Sequence, residues 1–262
     1  MRTDCLIRYQ QGDVGQWTCS ESIAIRSTDS RRYEIRIPGI AVYQVGLSEI
    51  SCTAPDENAF LSTLWNLPFS VWFLLRGELL IHACAVNAGS GIILLMGHKG
   101  AGKSTLSFLL DRQASLPFFA DDTIRLDRSS LGYRAHGYAK LFPSVLAEAG
   151  MESTNTVNLA GKHYIPCGAV DASAQPVKAA VFLKRGSVFS FEASKVNPAT
   201  MWKQNLVGLS FLPPELLRQV MGQPMPPQCI YRMTLPHDFQ QTVSLLPEIQ
   251  KKFLSISCSG SQ

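Results

Sequence analysis

Hydrophobic and polar positions alternate roughly through the first 55 residues. "SIAIRS", "YEIRIPGIAVYQV" and "EISCTA" are rich in β-branched residues, and their period of two predicts short strands. The period then changes. "DENAFLSTLWNL" opens on acidic residues and carries apolar side chains at helical spacing, which predicts a helix from near Asp56. A second apolar helical segment follows Pro68 as far as the break at Arg76–Gly77. "LLIHACAV" and "GIILLMG" then read as two apolar strands joined by the turn "NAGSG".

The second of these strands runs into a glycine-rich loop. Beyond it "KSTLSFLLDRQ" predicts a helix, and "SLPFFADD" a short apolar strand ending in two carboxylates. "YRAHGYAKLFP" reads as irregular, and "SVLAEAGM" as a helix stopped by Gly150. "VKAAVFLKRG" and "VFSFEAS" predict a strand pair around a turn at Arg185–Gly186. The last third predicts helices in "MWKQNLVGL", "PELLRQVMG" and "FQQTVSLLPEIQKKFL", with a Pro-rich connection "GQPMPPQC" and a loose tail "SISCSGSQ". The expected organisation is α/β: a small β-rich region over residues 1–75, then a core over 76–262 with a helical C-terminal part. The N-terminal region would be a docking surface for a substrate or a packing layer.

Composition narrows the class. With 262 residues, 46% hydrophobic and 17% charged, the chain can bury a full core. Its net charge of +4 is spread without a basic block, so nothing resembles a nucleic-acid-binding stripe. The most apolar stretch, "LPFSVWFLLRGELLIHACAV", is interrupted by Pro68, Arg76, Glu78 and His82. It lacks the unbroken apolar run of about 18 residues that a membrane span needs. Seven cysteines without zinc spacing or close pairing, and no signal peptide, lead to the expectation of reduced thiols and a cytoplasmic setting. Cys84 reads as a small buried side chain in an apolar run.

Gly97, Gly102, Lys103 and Ser104 complete the pattern G-x-x-x-x-G-K-[ST]. Its glycines allow positive φ, so that main-chain N–H groups can turn inward onto phosphate oxygens. The expected nucleotide-binding residues are Gly97, His98, Lys99, Gly100, Ala101, Gly102, Lys103, Ser104 and Thr105. Lys103 would reach the terminal phosphates, Ser104 would ligate Mg²⁺, and the helix N-terminus would favour the anion. His98 and Lys99 fill variable positions at the exposed tip. Lys99 would add positive potential near the γ-phosphate.

Asp121 and Asp122 close an apolar strand, where a carboxylate in a phosphate-loop protein holds Mg²⁺. Adjacent side chains diverge, so one can face the metal and the other the acceptor hydroxyl. Asp122 is the expected metal ligand beside Ser104, and Asp121 the expected base, although the residues themselves leave the assignment open. His82, on an apolar strand, reads on its own as a core histidine or as a catalytic one.

"RGELLIHACAV", then "GIILLMGHKGAGKSTL", then "FFADD" resembles the HPr kinase/phosphorylase superfamily. It is most similar to the shorter HPr-kinase-related proteins found with peptide-modification systems, lasso-peptide precursor kinases among them. The resemblance covers about Arg76 to Asp127. It implies a phosphate-loop core of the type shared with phosphoenolpyruvate carboxykinase. It also implies transfer of phosphate from ATP, with Mg²⁺, to a serine hydroxyl of a peptide or protein, and homo-oligomers in some members. Carried onto this chain, the catalytic residues are His82, Lys103 and the pair Asp121 and Asp122. Two departures stand out. The segment "LEIRG" that follows the double aspartate in full HPr kinases is replaced by "YRAHGYAKLFP", which has no acidic residue. The later basic loop "PVKPGRN" is also missing, and "GKHYIP", with Lys162, is only a loose substitute. Phosphorylase activity and HPr as substrate therefore do not follow.

Two other classes share the phosphate loop: a regulatory ATP-binding protein or ATPase without an acceptor, and a small-molecule kinase. A GTPase would carry N-K-x-D, and an ABC-type ATPase would carry L-S-G-G-Q. The chain has neither.

Overall fold

The computed structural model describes residues 5–14, 23–29, 31–64, 67–134, 138–150, 157–159, 162–166, 173–195, 198–222 and 229–256. In chain order the first elements are β1 (Leu6–Gln11), β2 (Ala24–Asp29), β3 (Arg32–Ile37), β4 (Ala41–Val45) and β5 (Glu49–Ala54). Helices α1 (Glu57–Leu64) and α2 (Leu67–Leu75) follow, then β6 (Leu79–Ile81), β7 (Cys84–Asn87), β8 (Ile92–Met96) and α3 (Lys103–Gln113). Next are β9 (Phe118–Ala120), β10 (Ile124–Leu126), β11 (Leu131–Arg134), β12 (Tyr138–Leu141) and α4 (Pro143–Glu148). After β13 (Val157–Leu159) and β14 (Lys162–Pro166) come β15 (Gln175–Gly186), β16 (Ser190–Ala193), α5 (Pro198–Lys203) and α6 (Pro214–Gly222). The chain closes with β17 (Ile230–Pro236), α7 (Phe239–Ser244) and α8 (Leu246–Ser255).

The chain divides into two units, Met1–Leu80 with Leu206–Pro224, and Ile81–Asn205 with Met225–Gln262. In the first, β1 to β5 form a sheet in the order β1-β5-β4-β3-β2. Tyr33, Ile35 and Ile37 of β3 are buried while Arg32 and Arg36 are exposed, the period of a strand with one face in the core. α1 begins where Asp56 Oδ1 accepts the Ala59 N–H at 2.8 Å, a side-chain cap. α2 is apolar nearly all round and is buried accordingly. Trp72 Nε1 donates to the Leu47 carbonyl at 2.9 Å, so its buried indole remains satisfied. Sequence spacing alone divides the chain near residue 75, but this unit also takes in Leu206–Pro224. Ser70 Oγ donates to the Val207 carbonyl at 2.6 Å, and Gln219 Nε2 to that of Leu74 at 2.5 Å. The amphipathic α6 buries Leu216 and Val220.

In the second unit the sheet runs β10-β11-β15-β8-β7-β9, with β17 beside β15 and β16 beside β17. β8 lies parallel to β15, and β15 parallel to β17, so three strands bring their carboxyl ends to one side. That is the edge at which open α/β sheets bind ligands. β8 reads Ile-Ile-Leu-Leu-Met and every residue is buried, as a central strand covered on both faces requires. One side packs into a core that includes Leu106, Leu109 and Leu110 of α3 and Ile249 and Phe253 of α8.

The expected pair of strands around Arg185–Gly186 is not a hairpin. β17 lies between β15 and β16, pairing parallel with the first and antiparallel with the second. Its sequence, "IYRMTLP", is central for a tertiary reason, since only β15 and β16 together supply both its edges. "YRAHGYAKLFP" also contains more order than its composition suggests. Its flanks form β11 and β12, and β12 pairs with β14. The expected helix "MWKQNLVGL" ends at Lys203. "FQQTVSLLPEIQKKFL" forms two helices, because Pro247 starts α8 instead of continuing α7. The expected Pro-rich connection and tail fall largely outside the described residues.

Candidate active site at the phosphate loop

The loop between β8 and α3 carries three left-handed glycines, Gly97 at φ 136°, Gly100 at 85° and Gly102 at 96°. Two are closely overlaid. A Cβ on Gly97 would lie 2.5 Å from the Leu183 carbonyl oxygen, and one on Gly102 2.5 Å from Arg185 Nη2. Arg185 is held there by a bond from Nη1 to the Pro236 carbonyl at 2.5 Å. Gly100 faces open space, so its requirement is conformational alone. His98 and Lys99 are exposed at the tip, Ala101 is buried, and Thr105 is half-buried in the first turn of α3.

Lys103 is buried, and its Nζ donates to the carbonyls of Gly97 at 2.7 Å and His98 at 3.3 Å. The ammonium therefore lies across the start of the loop. Gly97 N–H is itself held by Asn205 Oδ1 at 3.2 Å, while the Asn205 carbonyl accepts the His82 N–H at 2.7 Å. One asparagine thus ties the loop entrance to His82, which lies in the short link between β6 and β7 and not on a strand as its apolar neighbours suggest.

The two aspartates diverge. Asp121 is 1% exposed and accepts from Ser104 Oγ at 2.8 Å, Cys84 Sγ at 2.7 Å and the Lys140 N–H at 2.7 Å. Asp122, in the left-handed region at φ 69°, turns its side chain the other way. Its Oδ2 accepts from Lys140 Nζ at 2.7 Å, and its Oδ1 lies 3.3 Å from His82 Nδ1. The pairing expected from sequence, Ser104 with Asp122, differs from this geometry: Ser104 meets Asp121.

His82 Nδ1 also lies 2.9 Å from the Asp122 main-chain oxygen. A carbonyl can only accept, so Nδ1 is the donor in this contact and Nε2 is the ring nitrogen it leaves unused. The hydrogen bond from His82, followed by the Lys140 ammonium, holds the Asp122 carboxyl well below the usual carboxylate range. Burial first, and then the Asp121 charge, push the Cys84 thiol well above its ordinary value. Cys84 is a neutral donor to Asp121.

Beside the loop is a cavity of about 510 Å³, lined by residues that include His82, Gly97, Lys99, Lys184, Asn205 and Arg232. Lys140, Asn205 and Arg232 carried no signal in the sequence. Lys140 lies in a stretch that reads as irregular, and Asn205 in one that reads as helix. Lys162 lies in β14, with its side chain outside the described residues.

Ser104 Oγ and Asp121 Oδ1, two hard oxygen donors at the head of α3, fit Mg²⁺. That ion takes one or two carboxylates and completes its shell with phosphate oxygens and water. Among the described residues no group of three or more His, Cys, Asp or Glu side chains converges as a dedicated metal cage. Nor is any helix long and apolar enough to cross a membrane.

No known protein-family model matches the chain, and no curated protein sequence matches it. Among solved structures it is similar to the Hpr(Ser) kinase/phosphatase from Coxiella burnetii, at 12% identity and a TM-score of 0.31. The likeness covers 67% of this chain and 96% of that one.

Proposed function

We propose that this protein is a Mg²⁺- and ATP-dependent kinase that phosphorylates a serine hydroxyl of a peptide or protein. The observation that carries the reading is the split of the aspartate pair at the head of the phosphate loop. Asp121 joins Ser104, whereas Asp122 joins His82 beside the cavity.

In this reading the main-chain amides of Gly97–Lys103 and the start of α3 bind the triphosphate, and Lys103 leaves the loop carbonyls for the terminal phosphates. Ser104 and Asp121 would hold Mg²⁺, which when bound neutralises charge on the β- and γ-phosphate oxygens. His82 Nε2 takes the proton from the acceptor hydroxyl as its oxygen bonds to the γ-phosphorus and the bond to ADP breaks. Asp122, kept ionised, fixes the His82 tautomer and stabilises the imidazolium that forms, as the acid of a nucleophile–base–acid triad does. The division of roles is thus the reverse of the order suggested by sequence: Asp121 serves the metal and Asp122 the base.

The test is incubation with Mg-ATP and serine-bearing peptides, read by mass spectrometry and by ADP release. A phosphate mass on serine, lost on Ser→Ala substitution in the peptide, is the expected result. ADP release with phosphate appearing only in water would support an ATPase and overturn the proposal.

A further inference from the structure

We infer that the cavity beside His82 is a subsite for a carboxylate of the acceptor, so that the enzyme selects serines with a carboxylate nearby. This rests on the kinase reading and names its acceptor class.

The position follows from Lys103. Its ammonium lies on the carbonyls of Gly97 and His98, and this is the lysine that reaches the terminal phosphates. The terminal-phosphate end of the loop is therefore its Gly97–His98 end, and both residues line the cavity. His82 lines it too, with Nδ1 turned to Asp122. An acceptor hydroxyl lying between base and phosphate must have the rest of its molecule in this space.

The lining supplies the chemistry. Phe182 of β15 is the register partner of Arg232 of β17, and their neighbours Leu183 and Met233 point into the core. By the two-residue period of strands, Phe182, Lys184 and Arg232 share the opposite face, toward the cavity. Lys99 joins them from the loop. Among the described residues no carboxylate lines the cavity and none pairs with Lys99, Lys184 or Arg232, although Glu192 is Arg232's register partner in β16. Three cations, Lys99, Lys184 and Arg232, around about 510 Å³ make a field that concentrates anions. Phe182 adds an apolar wall suited to a peptide backbone or a methylene chain.

The source of the carboxylate is either an acidic side chain or a chain terminus, and peptides can separate the two. Serine peptides with a neighbouring Glu, Gln or Lys are compared as C-terminal amides, and a further peptide ends in serine with a free carboxylate. Binding is measured by fluorescence anisotropy with ADP present, and phosphorylation by kcat/KM. The Glu peptide or the free-terminus peptide is expected to exceed the Gln peptide about tenfold, with the Lys peptide lowest. Lys184→Met and Arg232→Met should each remove about two- to fivefold of the preference, as partly exposed ion pairs do, and raised salt should erode it. Equal handling of Glu, Gln and free-terminus peptides, or a preference unchanged in Lys184→Met/Arg232→Met, would overturn the subsite. The binding measurement needs no turnover, so a carboxylate preference without phosphate transfer would retain the subsite and reject the kinase.

Discussion

Ser104 Oγ and Asp121 Oδ1 stand 2.8 Å apart, joining the first turn of α3 to the end of β9. The carboxylate is almost wholly buried, and among the described residues the donors on it are a hydroxyl, a thiol and a main-chain N–H, with no cation. A buried carboxylate with only neutral donors retains much of its negative field, which is the condition for receiving a divalent ion. Asp121→Asn is therefore expected to lower kcat by about 10²–10³-fold and to move the Mg²⁺ titration to higher concentration. A variant with an unshifted titration and normal turnover would remove Asp121 from the metal site.

His82 gives a separate kinetic signature. His82→Gln should lower kcat by about 10²–10⁴-fold, the range for loss of a positioned base. Nucleotide affinity should change little with it, because in the proposed mechanism His82 meets the acceptor hydroxyl and not the phosphates. Near-normal turnover in the variant would take the base role from His82.

The phosphate-loop glycines should differ in what they tolerate. Gly100→Ala meets open space and carries only backbone strain, about 1 kcal/mol, readable as a modest fall in Tm. Gly102→Ala carries the same strain and also displaces Arg185, whose Nη2 would lie 2.5 Å from the new Cβ. Nucleotide affinity should fall markedly in the second and little in the first. Equal losses would mean that Arg185 does not shape the loop.

Asp122 links stability to pH with a definite sign. Its folded value is depressed, so its contribution is complete above the ordinary carboxylate value of about 4 and fades as pH falls below that. With its side chain 42% exposed, solvent screening holds the contribution to about 1 kcal/mol. Urea unfolding of wild type and Asp122→Asn should show a gap at neutral pH that closes in acid. A gap that widens as pH falls would refute the assignment.

Cys84 is fully buried with its thiol pushed up, whereas Cys5 and Cys229 are half-buried. Iodoacetamide should label Cys84 only after unfolding, as read by peptide mass spectrometry, while Cys5 and Cys229 react in the native protein. Native labelling of Cys84 would show that the packing around Cys84 and Asp121 opens.

Much of this was legible in the chain. Local pattern identified β3 to β5, the helices beginning near Asp56 and at Lys103, and the apolar β8 that leads into the loop, because period and capping are properties of neighbouring residues. The loop itself was readable because three closely spaced positive-φ positions strongly favour glycine. β17 was not. Its apolar run between Pro-rich sequence and a helix becomes a central strand only where β15 and β16 flank it.

From the residue order alone one reads a glycine-rich turn of the pattern G-x-x-x-x-G-K-[ST] followed by two adjacent acids. That order could not say which acid faces which partner, because that depends on one φ, at Asp122, and on residues far along the chain. Lys140 comes from β12 to hold both carboxylates, and Asn205 from beyond α5 to tie the loop to His82. Hydrogen bonds between distant segments form only once the sheet is assembled, so the partner each acid meets is a property of the assembled fold.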